Sequence, residues 1–132
     1  MKMAQRRRYH LIFLMMIWSM MISATPSKAA DLANGERLVR EHCTRCHVVG
    51  DMNKYGGIGS TPSFGAIKTM DDWKERFEIF FTLLPHPAVV KIEGVSEERP
   101  AHLLAFAKQI TLNVDELEDL LAYIDTIEAG PR

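Results

Sequence analysis

Glu41–Gly50 reads EHCTRCHVVG and holds both cysteines of the chain, Cys43 and Cys46, with His47 directly after the second. Closely spaced thiols serve as a disulfide, a redox dithiol, a metal site or an anchor for a prosthetic group. Each demands different surroundings, so the flanking sequence discriminates among them.

Upstream, MKMAQRRRYH carries Lys2, Arg6, Arg7 and Arg8 and no acid, and an apolar run follows from Leu11 to Ala24, uncharged and interrupted only by Ser19 and Ser23. Ser27 and Ala29, small residues two apart, then precede Asp31. A basic start, a short apolar stretch and a small-x-small exit describe a secretory signal peptide over residues 1–29, with cleavage expected after Ala29. The apolar run is shorter than the roughly 20 residues that span a bilayer, so no stable membrane anchor is expected after cleavage. Arg6-Arg7 has poor surroundings for a twin-arginine signal, which leaves the general export route and a periplasmic location.

The remaining segment, 30–132, is one domain by length. Of the 16 basic residues, Lys2, Arg6, Arg7, Arg8 and Lys28 lie in the leader, and none of the 17 acidic ones do; 11 against 17 leaves a net charge of −6. An acidic domain argues against nucleic acid and anionic membrane surfaces as partners. Met52 and Met70 are the only methionines after the leader.

The hydrophobic pattern predicts an all-α class. Asp31–His42 reads as a first helix, with Gly35 inside it at a cost of about 1 kcal/mol relative to alanine. Val48–Ala66 is a glycine-rich loop. Thr69–Leu84 places Trp73, Phe77, Phe80, Phe81 and Leu84 on one face and stops at Pro85. A short helix is expected from about Pro100, with Leu103, Leu104 and Ala107 inward. Thr111–Ala129 carries Val114, Leu117, Leu120, Leu121, Ile124 and Ile127 as one stripe, and Asn113 with Glu116 three later is a capping-box start. No segment alternates convincingly as a strand. Met70, one helical turn before Trp73, is expected in the core. Three or four short helices with long loops bury little apolar surface for this length, so something else is expected to fill the centre.

Against that background the thiol readings separate. A bridge across two residues closes too short a loop to restrain the unfolded chain much. A thioredoxin-like dithiol expects a preceding strand and a βαβ pattern, and neither is present. A zinc site needs four ligands, and His42 beside Cys43, Cys46 and His47 closes a tetrahedron poorly. Cys-x-x-Cys-His is the spacing for covalent haem attachment: two thiols add across two vinyl groups, and the next histidine gives the iron an axial nitrogen. Haem fits best and also supplies the missing apolar centre.

Three stretches then carry a resemblance. GERLVREHCTRCH (35–47), TPSFGAI (61–67) and LNVDELEDLLAYIDTI (112–127) resemble the first helix, the proline-containing loop and the terminal helix of the small single-haem cytochromes c of the mitochondrial and bacterial class I type. The resemblance implies a cytochrome c-like fold wrapped around one covalent haem c per chain. It also implies that Gly35 lets the first helix approach the terminal one at Tyr123, and that the Pro62 carbonyl accepts from the His47 ring. Cys43, Cys46, His47 and Pro62 are thus the expected cofactor-binding residues. The implied role is one-electron transfer, not catalysis, with a dehydrogenase, an oxidase or another cytochrome as redox partner.

One departure stands out. Family members usually place a methionine across the iron from the histidine, in the loop before the terminal helix, and Pro85–Ile110 contains none. That loop holds His86, between two prolines, and His102, together with Lys91 and Lys108. Either histidine is a candidate distal ligand. With neither, the iron would have an open position suited to a gas sensor or a small peroxidase-like enzyme.

Overall fold

The computed structural model describes residues 28–103 and 107–130. The expected leader lies outside these residues up to position 27, and so does Leu104. Among the described residues four short α-helices carry the fold: α1 (Leu32–Leu38), α2 (Phe64–Ile67), α3 (Trp73–Glu78) and α4 (Val114–Thr126). Two three-residue strands, β1 (Val90–Ile92) and β2 (Ile110–Leu112), lie between α3 and α4. The class is mainly helical with long connections, as the pattern indicates.

Helix α1 starts at Asp31, whose carboxylate accepts from the N–H groups of Ala33 and Asn34 at 3.0 Å. Beyond Leu38 the helix widens into a π-helical turn, Val39–Cys43. The Thr44 N–H reaches back to Val39 O at 3.3 Å, while the Thr44 hydroxyl takes the Arg40 carbonyl at 2.6 Å. A threonine that bonds its own helix backbone loosens the ladder at that point. The thiol motif therefore leaves a helix whose last turn is under-wound.

Helix α4 has both halves of its capping box: Glu116 N–H to Asn113 Oδ1 at 2.9 Å and Asn113 N–H to Glu116 Oε2 at 3.0 Å. It buries Leu120 and Ile124 while Val114 stays 44% exposed, so the apolar stripe effectively begins at Leu117. Helices α1 and α4 pack on each other at Gly35. A Cβ there would lie 2.1 Å from the Asp119 carbonyl oxygen and 2.8 Å from Tyr123 Cβ, so only glycine permits the approach. Asp119 is buried at the same crossing and accepts from Asp31 N–H at 2.6 Å and Asn34 Nδ2 at 2.8 Å. Lys68 ties the other end, donating to Ile124 O and Asp125 O at 2.9 and 3.0 Å with its ammonium over the Trp73 ring. A cation at a helix C-terminus also meets the negative end of the dipole.

Four expectations are corrected. The helix expected over 69–84 is α-helical only from Trp73 to Glu78; Ile79, at φ −111° and ψ 12°, breaks it, and Phe80–Thr82 form a 3-10 turn. Pro85 disfavours helical backbone at Leu84, which is 74% exposed rather than inward. Second, strands exist: β1 and β2 pair in parallel, Val90 with Ile110, Lys91 with Thr111 and Ile92 with Leu112. Ile92 and Leu112 are core residues, but three residues are too few to show a period of two. Third, residues 101–103 form a turn rather than a helix, closed by Leu103 N–H to Pro100 O at 2.9 Å. Fourth, Met70 is 41% exposed, because it sits in the turn before α3 and not on its inner face.

Candidate functional site

The thiol motif is a tight turn after the π-helical segment. The Cys43 carbonyl accepts from Cys46 N–H at 3.1 Å and from His47 N–H at 2.9 Å. Both cysteines are free thiols. Burial, reinforced by the neighbouring Cys46, pushes the Cys43 thiol up to about 12. Among the described residues no cluster of three or more His, Cys, Asp or Glu side chains is arranged to hold a metal ion.

His47 is fixed from several sides. Its Nδ1 lies 2.7 Å from the Pro62 carbonyl. A carbonyl only accepts, so Nδ1 carries the proton and the neutral ring keeps its lone pair on Nε2. The hydrogen bond expected from the resemblance is thus present. Burial lowers the pKa of His47, the Pro62 contact opposes that, and His86 lowers it further. The Phe64 ring sits 5.2 Å from the imidazole and joins it to Phe77, whose ring is 5.0 Å beyond. Ser63, which caps α2 through its hydroxyl to Ala66 N–H at 3.1 Å, holds the Pro62–Phe64 segment in place.

Sequence reasoning missed two residues that shape this turn. Asn53 donates to Thr44 O at 2.9 Å and His47 O at 2.7 Å and accepts from Val49 N–H at 2.7 Å. One amide thus closes the loop behind the motif. Gly57, at φ +76°, passes so close that a Cβ would sit 3.1 Å from Cys46 O and from the His47 backbone, and Ile58 N–H bonds Cys46 O at 2.8 Å. Neither belongs to a periodic pattern. A glycine-rich loop following the motif was the one available signal.

The candidate distal histidines occupy different environments. His86 opens a 3-10 turn, His86–Ala88, and its Nδ1 lies 3.0 Å from the Leu83 carbonyl. By the same logic its lone pair is on Nε2. Phe80 meets it edge-on at 5.4 Å. Burial lowers its pKa, opposed by the Leu83 contact. Its ring centre is 6.0 Å from that of His47, with the two planes 5° from parallel. His102 is exposed on the 101–103 turn. Lys91 is engaged with the Glu98 carboxylate, and Met52 packs partly into the core. His42, 3.9 Å from Glu41 Oε2, takes no place beside the thiols in this set.

The donor set suits haem: two free thiols on one turn, an imidazole with a free Nε2 beside them, and a second neutral imidazole nearly parallel to the first and 6.0 Å away. A groove of about 600 Å³ between α1, the 48–54 loop and the chain's end is lined by Glu36, Arg40, Tyr123 and others, and includes none of Cys43, Cys46, His47 and His86. It is separate from the site.

Comparison with known proteins gives two findings. A family model described as Cytochrome c matches residues 32–128. A curated relative, cytochrome c-552 of Bradyrhizobium diazoefficiens, is 30% identical over 78 residues, which cover 59% of this chain and 74% of the relative. No solved structure matches.

Proposed function

Because the chain belongs to the cytochrome c family, we propose that it is an exported protein that holds one covalent haem and carries single electrons between redox partners. Haem, when bound, supplies an iron that alternates between ferrous and ferric forms. Cys43 and Cys46 would hold it as thioethers: each S–H adds across one vinyl double bond, sulfur to one carbon and hydrogen to its neighbour, so the addition consumes no oxidant. His47 would give the proximal nitrogen through Nε2. Pro62 orients that ring and raises its basicity by accepting from Nδ1. The observation that carries this reading is the free Cys43–Cys46 pair beside an imidazole locked at 2.7 Å by Pro62.

The leader-like sequence over 1–29 supports export to the periplasm, where thiol-bearing domains of this kind receive haem. Among the described residues no helix is long and apolar enough to cross a membrane. The relative's name, cytochrome c-552, fits a carrier role. An excess of acid over base in the exported segment favours partners with basic docking faces, a dehydrogenase, an oxidase or another cytochrome, with encounter rates that fall as salt rises. The reading assigns the chain no enzymatic step.

The test is expression of the full chain in a bacterium that matures c-type cytochromes. The expected result is a periplasmic product whose haem stays with the polypeptide through denaturation, at one haem per chain, and which titrates reversibly as a one-electron couple. Haem that leaves on denaturation would sink the proposal.

A further inference from the structure

We infer that His86 is the second axial ligand, so that the iron is held between two imidazoles, His47 on one side and His86 on the other. The inference rests on the haem-binding reading above. Four observations carry it. Each ring has its Nδ1 tied to a backbone carbonyl, Pro62 for His47 and Leu83 for His86, which leaves Nε2 as the free donor on both. The two rings are nearly parallel and 6.0 Å apart, centre to centre. Taking about 2.0–2.1 Å for a metal–imidazole bond, as for zinc, and ring bonds of about 1.33 Å, two rings sharing one metal along a line have centres about 6.3–6.5 Å apart. The observed separation of 6.0 Å is shorter than that span by about 0.3–0.5 Å, a small adjustment of the His86 turn.

The surroundings of His86 point the same way. Pro85 and Pro87 flank it, and its backbone N–H bonds Leu83 O at 2.9 Å, so the carbonyl that orients the ring also anchors the turn. Phe80 closes one side of the ring edge-on. This is a built position, because ring and backbone are both restrained before any ligand arrives. His102 has an exposed position on a turn instead. Met70 is 41% exposed before α3, and Met52 packs against the core and lines the groove that includes neither histidine.

The experiment uses the full chain loaded with haem. Ferric wild type should give the low-spin electron paramagnetic resonance and near-infrared magnetic dichroism of a bis-imidazole haem, with no methionine–iron charge-transfer band. Ferrous wild type should bind carbon monoxide slowly or not at all. His86→Ala should convert the ferric form to high spin, bind carbon monoxide rapidly, and regain the low-spin signature on adding free imidazole. His102→Ala should leave every spectrum unchanged. His86→Met should restore six-coordination with a raised midpoint potential, the direction a Met/His pair imposes. Wild-type spectra showing methionine, lysine or water ligation overturn the inference, as does a low-spin bis-imidazole His86→Ala. A spectral change on His102→Ala overturns it too. Should His86→Ala fail to load haem, the wild-type and His102→Ala spectra decide on their own. Haem that remains covalently bound in all of these proteins preserves the cytochrome reading even where the ligand assignment fails; haem released from wild type defeats both.

Discussion

The two imidazoles lie nearly parallel with centres 6.0 Å apart, yet the chain holds them by different means. His47 is braced by several segments: Pro62 and Phe64, fifteen and more residues on, at its ring, and Asn53 and Gly57 behind its backbone. His86 is braced mainly by its own neighbours, Leu83, Pro85, Pro87 and Phe80. One side is fixed by tertiary structure and the other by a stiff local turn. Damage should therefore spread from the His47 side into stability, while damage on the His86 side should stay with the iron.

The harshest test is removal of both thiols. Cys43→Ala with Cys46→Ala should abolish covalent haem and leave a poorly folded chain, read by circular dichroism and haem staining after denaturation. Normal folding of that variant would show that the apolar core stands without a cofactor. Next comes the helix crossing. Gly35→Ala inserts a Cβ 2.1 Å from Asp119 O, and the forced separation should cost about 3 kcal/mol in denaturant unfolding.

Asn53→Ala and Phe80→Ala set the two sides against each other directly. The first strips partners from Val49 N–H and from the Thr44 and His47 carbonyls and should cost about 2 kcal/mol, since orphaned buried groups carry penalties of about 1–3 kcal/mol. The second removes the edge-on contact to His86 and should cost about 1 kcal/mol, less than the 3–5 kcal/mol of a fully buried phenylalanine. It should nonetheless admit carbon monoxide faster than Asn53→Ala does. Equal carbon monoxide rates in the two variants would dissolve the contrast.

The smallest effect is a pH dependence at the crossing. The Asn34 amide, then the Asp31 N–H, hold the Asp119 carboxyl below the usual carboxylate range. A depressed folded pKa stabilises the protein above the unfolded value of about 3.9 and loses that contribution as pH falls through the folded value. Asp119→Asn should accordingly be less stable than wild type by about 1 kcal/mol near neutrality, within the range for hydrogen bonds to charged groups. The gap should close below about pH 4, in urea unfolding followed across pH. A gap that widens on acidification would remove Asp119 from this role.

Much of this architecture was legible from the chain. The motif and the capped terminal helix each depend on a few residues with a fixed local signature, whereas the Gly35 approach was implied by the family resemblance and not by the residues around it. Asn53 escaped because one asparagine in a loop looks like any turn former until its three partners converge. The strands escaped because Val90–Ile92 and Ile110–Leu112 acquire meaning only when paired. His86 and His102 remained equivalent candidates because their difference is spatial: one ring turns inward beside Leu83 O, the other sits exposed.

The parallel β1–β2 pair brings the chain just after His86 to within one strand spacing, about 4.8 Å, of the chain leading into α4. Residues 93–109 are therefore an excursion with a closed base. Lengthening this excursion should alter folding chiefly through loop-closure entropy, about 0.6 kcal/mol per doubling. That makes the exposed stretch 97–100 the natural place to graft a tag without touching His47 or His86.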